Sequence, residues 1–252
     1  MTLELEGKRA IVTGGNRGIG KAIARELARQ GADVVLAARD QTALDASARE
    51  IAAETGRRVL GLRVETGSKA SVDALVAGAV ERLGGVDILV NAAAVPGGIS
   101  SATKLAEIID EEALLDIDIK VVGYLRTARA VAPHLVAQGW GRIINVGGLA
   151  IHRTGRPVAT LRNVGVAAIT KNLADELGPL GVNVTAVHPG ITRTEKTDPA
   201  TEAELAKSNS IRRLIDASEV AWVVAFLASP RSIAINGDAI PVGGGAPGTI
   251  HY

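Results

Sequence analysis

The chain is 252 residues long, carries 28 basic against 27 acidic residues for a net charge of +1, and has no cysteine. That length suits one large α/β domain, and the balanced charge argues against nucleic acid or a membrane surface as partner. The missing thiols exclude disulfides, thiol catalysis and zinc thiolate sites, and no metal site is expected. Hydrophobic residues make up 47% and aromatics 2%, so the core must be Val, Ile, Leu and Ala, the composition of a parallel sheet covered on both faces. No apolar run approaches the roughly 18 residues of a membrane span, and the N-terminus lacks a charged segment followed by an apolar one. A cytoplasmic protein is expected.

Residues 10–12 (Ala-Ile-Val) read as a buried strand, and Ile19, Ile23 and Leu27 then recur on one helical face. Between them lies Thr13-Gly14-Gly15-Asn16-Arg17-Gly18-Ile19-Gly20. Its glycines are spaced Thr-Gly-x-x-x-Gly-x-Gly, which departs from the common Gly-x-Gly-x-x-Gly. Gly14 can take backbone angles closed to other residues, Gly18 lets a phosphate approach the main chain, and Gly20 allows close packing. The helix that opens here aims free N–H groups and its positive dipole end at the gap. A dinucleotide pyrophosphate is the anion expected there.

Residues 32–38 form a second strand with Arg39 and Asp40 at its end. In dinucleotide folds this end faces the adenosine ribose, where an acid accepts from a 2′-hydroxyl and an arginine suits a 2′-phosphate. Arg39, with Arg17 from the glycine turn, favours NADP(H), while Asp40 keeps NAD(H) as the alternative. A helix over 41–56, a strand over 59–64 ending at Glu65, a helix over 71–83 and a strand over 86–90 followed by Asn91 continue the alternation. It closes as a doubly wound parallel sheet with right-handed crossovers.

The glycine turn, residues 87–90 leading into Asn91-Ala-Ala-Ala94, Gly141-Arg-Ile-Ile-Asn-Val146, His188-Pro189-Gly190 and the close at 237–245 together resemble the short-chain dehydrogenase/reductase family over nearly the whole chain. The resemblance implies a single-domain Rossmann-type α/β fold spanning 1–252. It further implies hydride transfer between NAD(P)(H) and a small-molecule alcohol or carbonyl, and a homo-oligomer, tetramer or dimer. Carried onto this chain, the cofactor-binding set is Gly14, Asn16, Arg17, Gly18, Ile19, Gly20, Arg39, Glu65, Thr66, Asn91, Ala93, Asn163, Pro189, Gly190, Thr192 and Thr194. Residues 193–215, polar in their first part, take the place of the substrate lid.

The family's proton chemistry uses a Tyr, a Lys four residues on, a Ser that holds the substrate oxygen and an Asn that anchors water. Here those positions are Ala159, Asn163, Gly148 and Lys120, and the segment from 148 to 159 is shorter than in the family. Lys120 and Asn163 read as an exchange of the family's Asn and Lys. The candidate catalytic residues are therefore Lys120, Asn163 and His152, the last by virtue of its ordinary pKa. Of the two tyrosines, Tyr124 reads as core packing and Tyr252 as a chain end. Arg162 either binds an acidic substrate or pairs with a carboxylate. Three functions stay open. They are an NADP(H) oxidoreductase with a non-standard proton donor, an NADP(H)-binding protein without turnover acting as sensor, partner subunit or scaffold, and a methyltransferase, which Arg39 disfavours.

Overall fold

Apolar runs punctuated by glycine become strands, and amphipathic runs between them become helices. The structure, a computed structural model, describes residues 4–195, 197–245 and 247. In chain order these are β1 (Arg9–Thr13), α1 (Gly18–Arg29), β2 (Asp33–Ala38), α2 (Gln41–Thr55), β3 (Val59–Arg63), α3 (Lys69–Leu83) and β4 (Ile88–Asn91). There follow α4 (Asp110–Ile117), α5 (Gly123–Ala137), β5 (Gly141–Val146), α6 (Pro157–Leu177) and β6 (Val182–Pro189). The chain closes with β7 (Thr192–Arg193), α7 (Pro199–Leu205), β8 (Ile215–Asp216), α8 (Ala217–Ala228) and β9 (Ala239–Val242).

Seven strands form one parallel sheet in the order β3-β2-β1-β4-β5-β6-β9. The order reverses direction beside β1 and β4, and in such sheets the crevice at the strands' carboxyl ends is where ligands bind. One face is covered by α1, α2 and α8, whose Ile23, Leu27, Leu44, Ile51, Val224 and Leu227 are buried against Val12, Val34 and Ile144. The other is covered by α3, α5 and α6, with Val72, Leu75, Val131, Leu135 and Leu177 on Ile11, Leu89 and Ile143. Each such buried aliphatic side chain contributes about 1.5–3 kcal/mol relative to exposure.

Helix ends follow local chemistry. Asp40 caps α2 by accepting from the Ala43 N–H at 3.0 Å, Ser68 caps α3, and Gly56 and Gly84 close those helices in left-handed conformation. The polar segment read as lid is more ordered than its composition suggests: Pro199 starts α7, and β7 pairs with β8 in a separate two-stranded ladder. Among the described residues no helix is long and apolar enough to cross a membrane. Tyr252 lies outside the described residues.

Candidate active site

The glycine turn sits between β1 and α1 at the sheet's carboxyl edge. A Cβ on Gly14, whose φ is +69°, would lie 2.7 Å from Ala92 O, and one on Gly20 would lie 2.2 Å from Gly14 O. Neither position has room for a side chain. Gly18 differs, since a Cβ there would meet nothing nearer than the Thr194 methyl at 3.6 Å. Its N–H, the first of α1, faces outward and donates to both carboxylate oxygens of Glu195 at 3.0 and 3.2 Å. That carboxylate stands in for an anion, so the turn fits a phosphate at this N–H. Arg17 occupies the N-cap without capping and is exposed, whereas Ile19 is half-buried against the core. Asn16 gives its carbonyl to Ser47 Oγ at 3.0 Å.

Arg39 stands exposed at the end of β2. Asp40 spends its carboxylate on the α2 cap, and Arg63 donates from Nε to Arg39 O at 3.2 Å. A third guanidinium, not singled out from sequence, therefore joins Arg17 and Arg39 as a cation at this end. Glu65 is exposed with its N–H on Ser71 Oγ, and Thr66 is buried with its side chain against Gly123. Thr13 Oγ1 accepts from the N–H groups of Ala92 and Ala93, each at 3.1 Å. Asn91 is fully buried and donates to Asn145 Oδ1 while accepting from Thr127 Oγ1. Its side chain therefore ties β4 to β5 and α5, and what it can offer a ligand is backbone.

The reacting end is built on an irregularity. Residues Asp118–Val122 form a π-helical turn between α4 and α5, a device frequent at functional sites. Lys120 lies in it, 4% exposed. It is no solvated helix lysine: Nζ donates to Gly147 O at 3.0 Å and to Asn163 Oδ1 at 2.9 Å. Burial, assisted by the Arg162 charge and opposed by Asp116, pushes its amine down to about 7. Asn163 passes the chain on, donating from Nδ2 to Ala159 O at 2.7 Å. Lys120 and Asn163 thus touch, and a Cβ on Gly148 would come within 3.3 Å of Asn163 Oδ1.

Arg162 resolves to the second of its two readings, pairing with buried Asp116 at 2.7 Å. Tyr124 is buried and donates to Val146 O at 3.0 Å, and burial pushes its hydroxyl up. His152 ends the short turn Leu149–His152 and is exposed. His188, read from sequence only as part of a family motif, packs its ring where a Gly147 Cβ would be, 2.1 Å from Nδ1. It accepts from the Gly148 N–H at 3.0 Å. Burial first, then the charges of Lys120 and His152, push it down to about 4, so it is neutral at pH 7.

Pro189 ends β6, and Gly190 donates to Val242 O at 2.9 Å. Thr192 turns its hydroxyl onto Gly190 O, and Thr194 faces Gly18 with its methyl. Arg193 then pairs with Asp216, at 2.6 Å, and with Glu202, which ties together the segment read from sequence as the lid.

A family model described as enoyl-(acyl carrier protein) reductase matches residues 14–247. The short-chain reductase protein NovJ of Streptomyces niveus is 36% identical over 94% of this chain and 93% of its own. The 3-oxoacyl-[acyl-carrier-protein] reductase FabG of Vibrio cholerae is 36% identical over 96% and 98%. Among solved structures, L-sorbose reductase from Gluconobacter frateurii complexed with NADPH and L-sorbose superposes with a TM-score of 0.91 at 30% identity, covering 99% of this chain and 100% of that one. A short-chain dehydrogenase from Burkholderia cenocepacia in complex with NADP gives 0.87 at 32% identity, over 96% and 98%. With a parallel seven-stranded sheet, a glycine turn shaped for a phosphate and full-length likeness at these identities, the chain belongs to the short-chain dehydrogenase/reductase family.

Proposed function

We propose that this protein is an NADP(H)-dependent oxidoreductase acting on an alcohol or carbonyl, with Lys120 carrying the proton that the family's tyrosine carries. The observation that bears most weight is the Lys120 amine, buried, held by Gly147 O and Asn163 Oδ1, and poised near pH 7. A group with a pKa close to the working pH is the most effective proton carrier. The NADPH and NADP held by the two structural relatives support the cofactor, as do Arg17, Arg39 and Arg63 at the adenosine end.

When bound, the reduced nicotinamide supplies hydride to a carbonyl carbon. The chain's own residues do the rest. Glycines 14, 18 and 20 admit the pyrophosphate, Arg39 and Arg17 receive the 2′-phosphate, and Thr192, Thr194, Pro189 and Gly190 line the nicotinamide end. Lys120, as the ammonium, gives a proton to the substrate oxygen and is left as the amine. Asn163 keeps that amine in place, and exposed His152 exchanges protons with solvent. The absence of a hydroxyl at Gly148 and Ala159 favours a second reading, in which the protein binds NADP(H) without turnover as a sensor, partner subunit or scaffold.

Fluorescence titration with NADPH and NADH, followed by a carbonyl panel read by loss of reduced-nicotinamide absorbance, tests both. Tighter NADPH binding with turnover that K120M removes supports the enzyme. Binding without turnover supports the second reading, and binding of neither cofactor overturns both. We also propose a homo-oligomer, because Leu105, Leu114, Leu161 and Val164 around α4 and α6, and Trp222 and Phe226 on α8, are exposed apolar side chains. Light scattering showing a monomer at micromolar concentration would overturn it.

A further inference from the structure

The arginines around the lid divide by their partners. Arg193 pairs with Asp216 and Glu202, and Arg213 meets Glu219 through two bonds of 2.6 Å. Lys207 pairs with Glu204. Among the described residues Arg153 and Arg212 form no ion pair, and both are exposed. Arg153 Nη2 reaches Ser208 O at 3.5 Å and Arg212 Nη1 reaches Lys207 O at 3.5 Å. These are consecutive carbonyls, so two guanidinium groups from different segments converge on one lid turn. Bonds of that length leave most of their N–H donors unspent. Two like charges so placed repel unless an anion lies between them.

Arg212 carries an independent mark. Its φ of +56° makes it the one non-glycine residue in the left-handed region among those described. The conformation is unfavourable for a side-chain-bearing residue and clusters at functional sites. It is held there by its own N–H on Asn209 O and by the Ser210 N–H on Gly244 O and Gly245 O. Arg153 comes from the shortened loop that begins at Gly148, the position of the family's substrate-holding serine. Arg156 on the same loop donates to Ser100 O at 3.2 Å and is likewise without an ion pair. The loop therefore presents two exposed cations, one of them against the turn at Lys207 and Ser208.

We propose that Arg153 and Arg212 form an anion clamp at the mouth of the reacting end, and that the substrate is a carbonyl compound bearing a carboxylate or phosphate group, or the matching hydroxy acid. This rests on the hydride-transfer reading for turnover, but the clamp itself binds an anion whether or not turnover occurs. Calorimetric titration of the NADPH-saturated protein with levulinate, methyl levulinate and inorganic phosphate reads binding alone. Levulinate or phosphate should bind at least tenfold more tightly than the neutral ester, and R153A and R212G should abolish that preference. R212G removes the guanidinium while suiting the left-handed backbone, and R212K should restore part of the binding.

In turnover, levulinate against its ester and dihydroxyacetone phosphate against dihydroxyacetone distinguish the two anionic groups. The variants should raise KM for the acid at least tenfold with kcat nearly unchanged. Anion binding without turnover would sink the hydride-transfer reading and leave the clamp standing. Equal binding of levulinate and its ester, with no binding of phosphate, or variants that bind as the wild type does, would overturn the clamp.

Discussion

The two ends of the crevice are held by different kinds of constraint. At the glycine turn the constraint is steric: Gly14 and Gly20 have backbone where a Cβ would go, and no partner substitution can make room. Around Lys120 it is chemical, a matter of which side-chain donors meet which acceptors. Lys120 and Asn163, the pair that the sequence reads as an exchange, touch at 2.9 Å, while Gly147 admits the His188 ring. Backbone-limited sites tolerate no trade, whereas side-chain sites can exchange partners provided donors and acceptors still match.

The contrast is sharpest if one end can be broken while the other is untouched. K120M should lower carbonyl reduction about 10²–10⁴-fold, the contribution of a general acid, with the NADPH Kd within a few-fold of wild type; loss of both together would merge the two ends into one unit. The same variant should change how stability depends on pH. The Lys120 amine titrates near 7 folded and at 10.5 unfolded, so between those values the unfolded chain binds the extra proton. Stability of the wild type should therefore climb with rising pH across that window, by at most about 1.4 kcal/mol per unit. In K120M this component disappears, as denaturant melts at pH 7 and 9 would read.

At the other end, G20A should cost about 1–3 kcal/mol of stability by overpacking against Gly14 O and abolish cofactor binding, with Lys120 still buried. R39A should weaken NADPH about 10–100-fold through a lost charge-assisted contact while leaving NADH binding unchanged. Removal of the Glu195 carboxylate, which competes for the Gly18 N–H, should tighten NADPH about 2–5-fold in E195A. A weaker Kd there would make Glu195 a supporting residue of the turn instead.

Much of this layout is legible in the sequence, because strands β1 to β6 and β9 are short apolar runs bounded by glycines and caps, which are local signals. Lys120 and Asn163 are singled out from sequence too, since both fall at fixed distances from recognisable segments. Their burial and mutual contact are not, because a lysine looks the same in sequence whether water or an amide oxygen receives it. Asp40 illustrates the same limit: its place after β2 suits a ribose, but its carboxylate is taken by the helix it precedes. Contacts such as Arg162 with Asp116 and Glu195 with Gly18 join distant segments, and no periodicity announces them. The helix α7 is hidden by a polar composition that also suits a loop.

The π-turn at Asp118–Val122 sets the angular phase of everything that follows it. An α-helix advances about 100° per residue, and a widened turn absorbs one residue without advancing the axis accordingly. Deleting a single residue there would let α4 run smoothly into α5, yet it would swing the Lys120 amine about a quarter of a circle away from Asn163. The position of the Lys120 amine is thus written in a residue count as well as in a residue type. A one-residue indel at this turn acts as a dial that repoints the site while leaving the sheet and the glycine turn where they are.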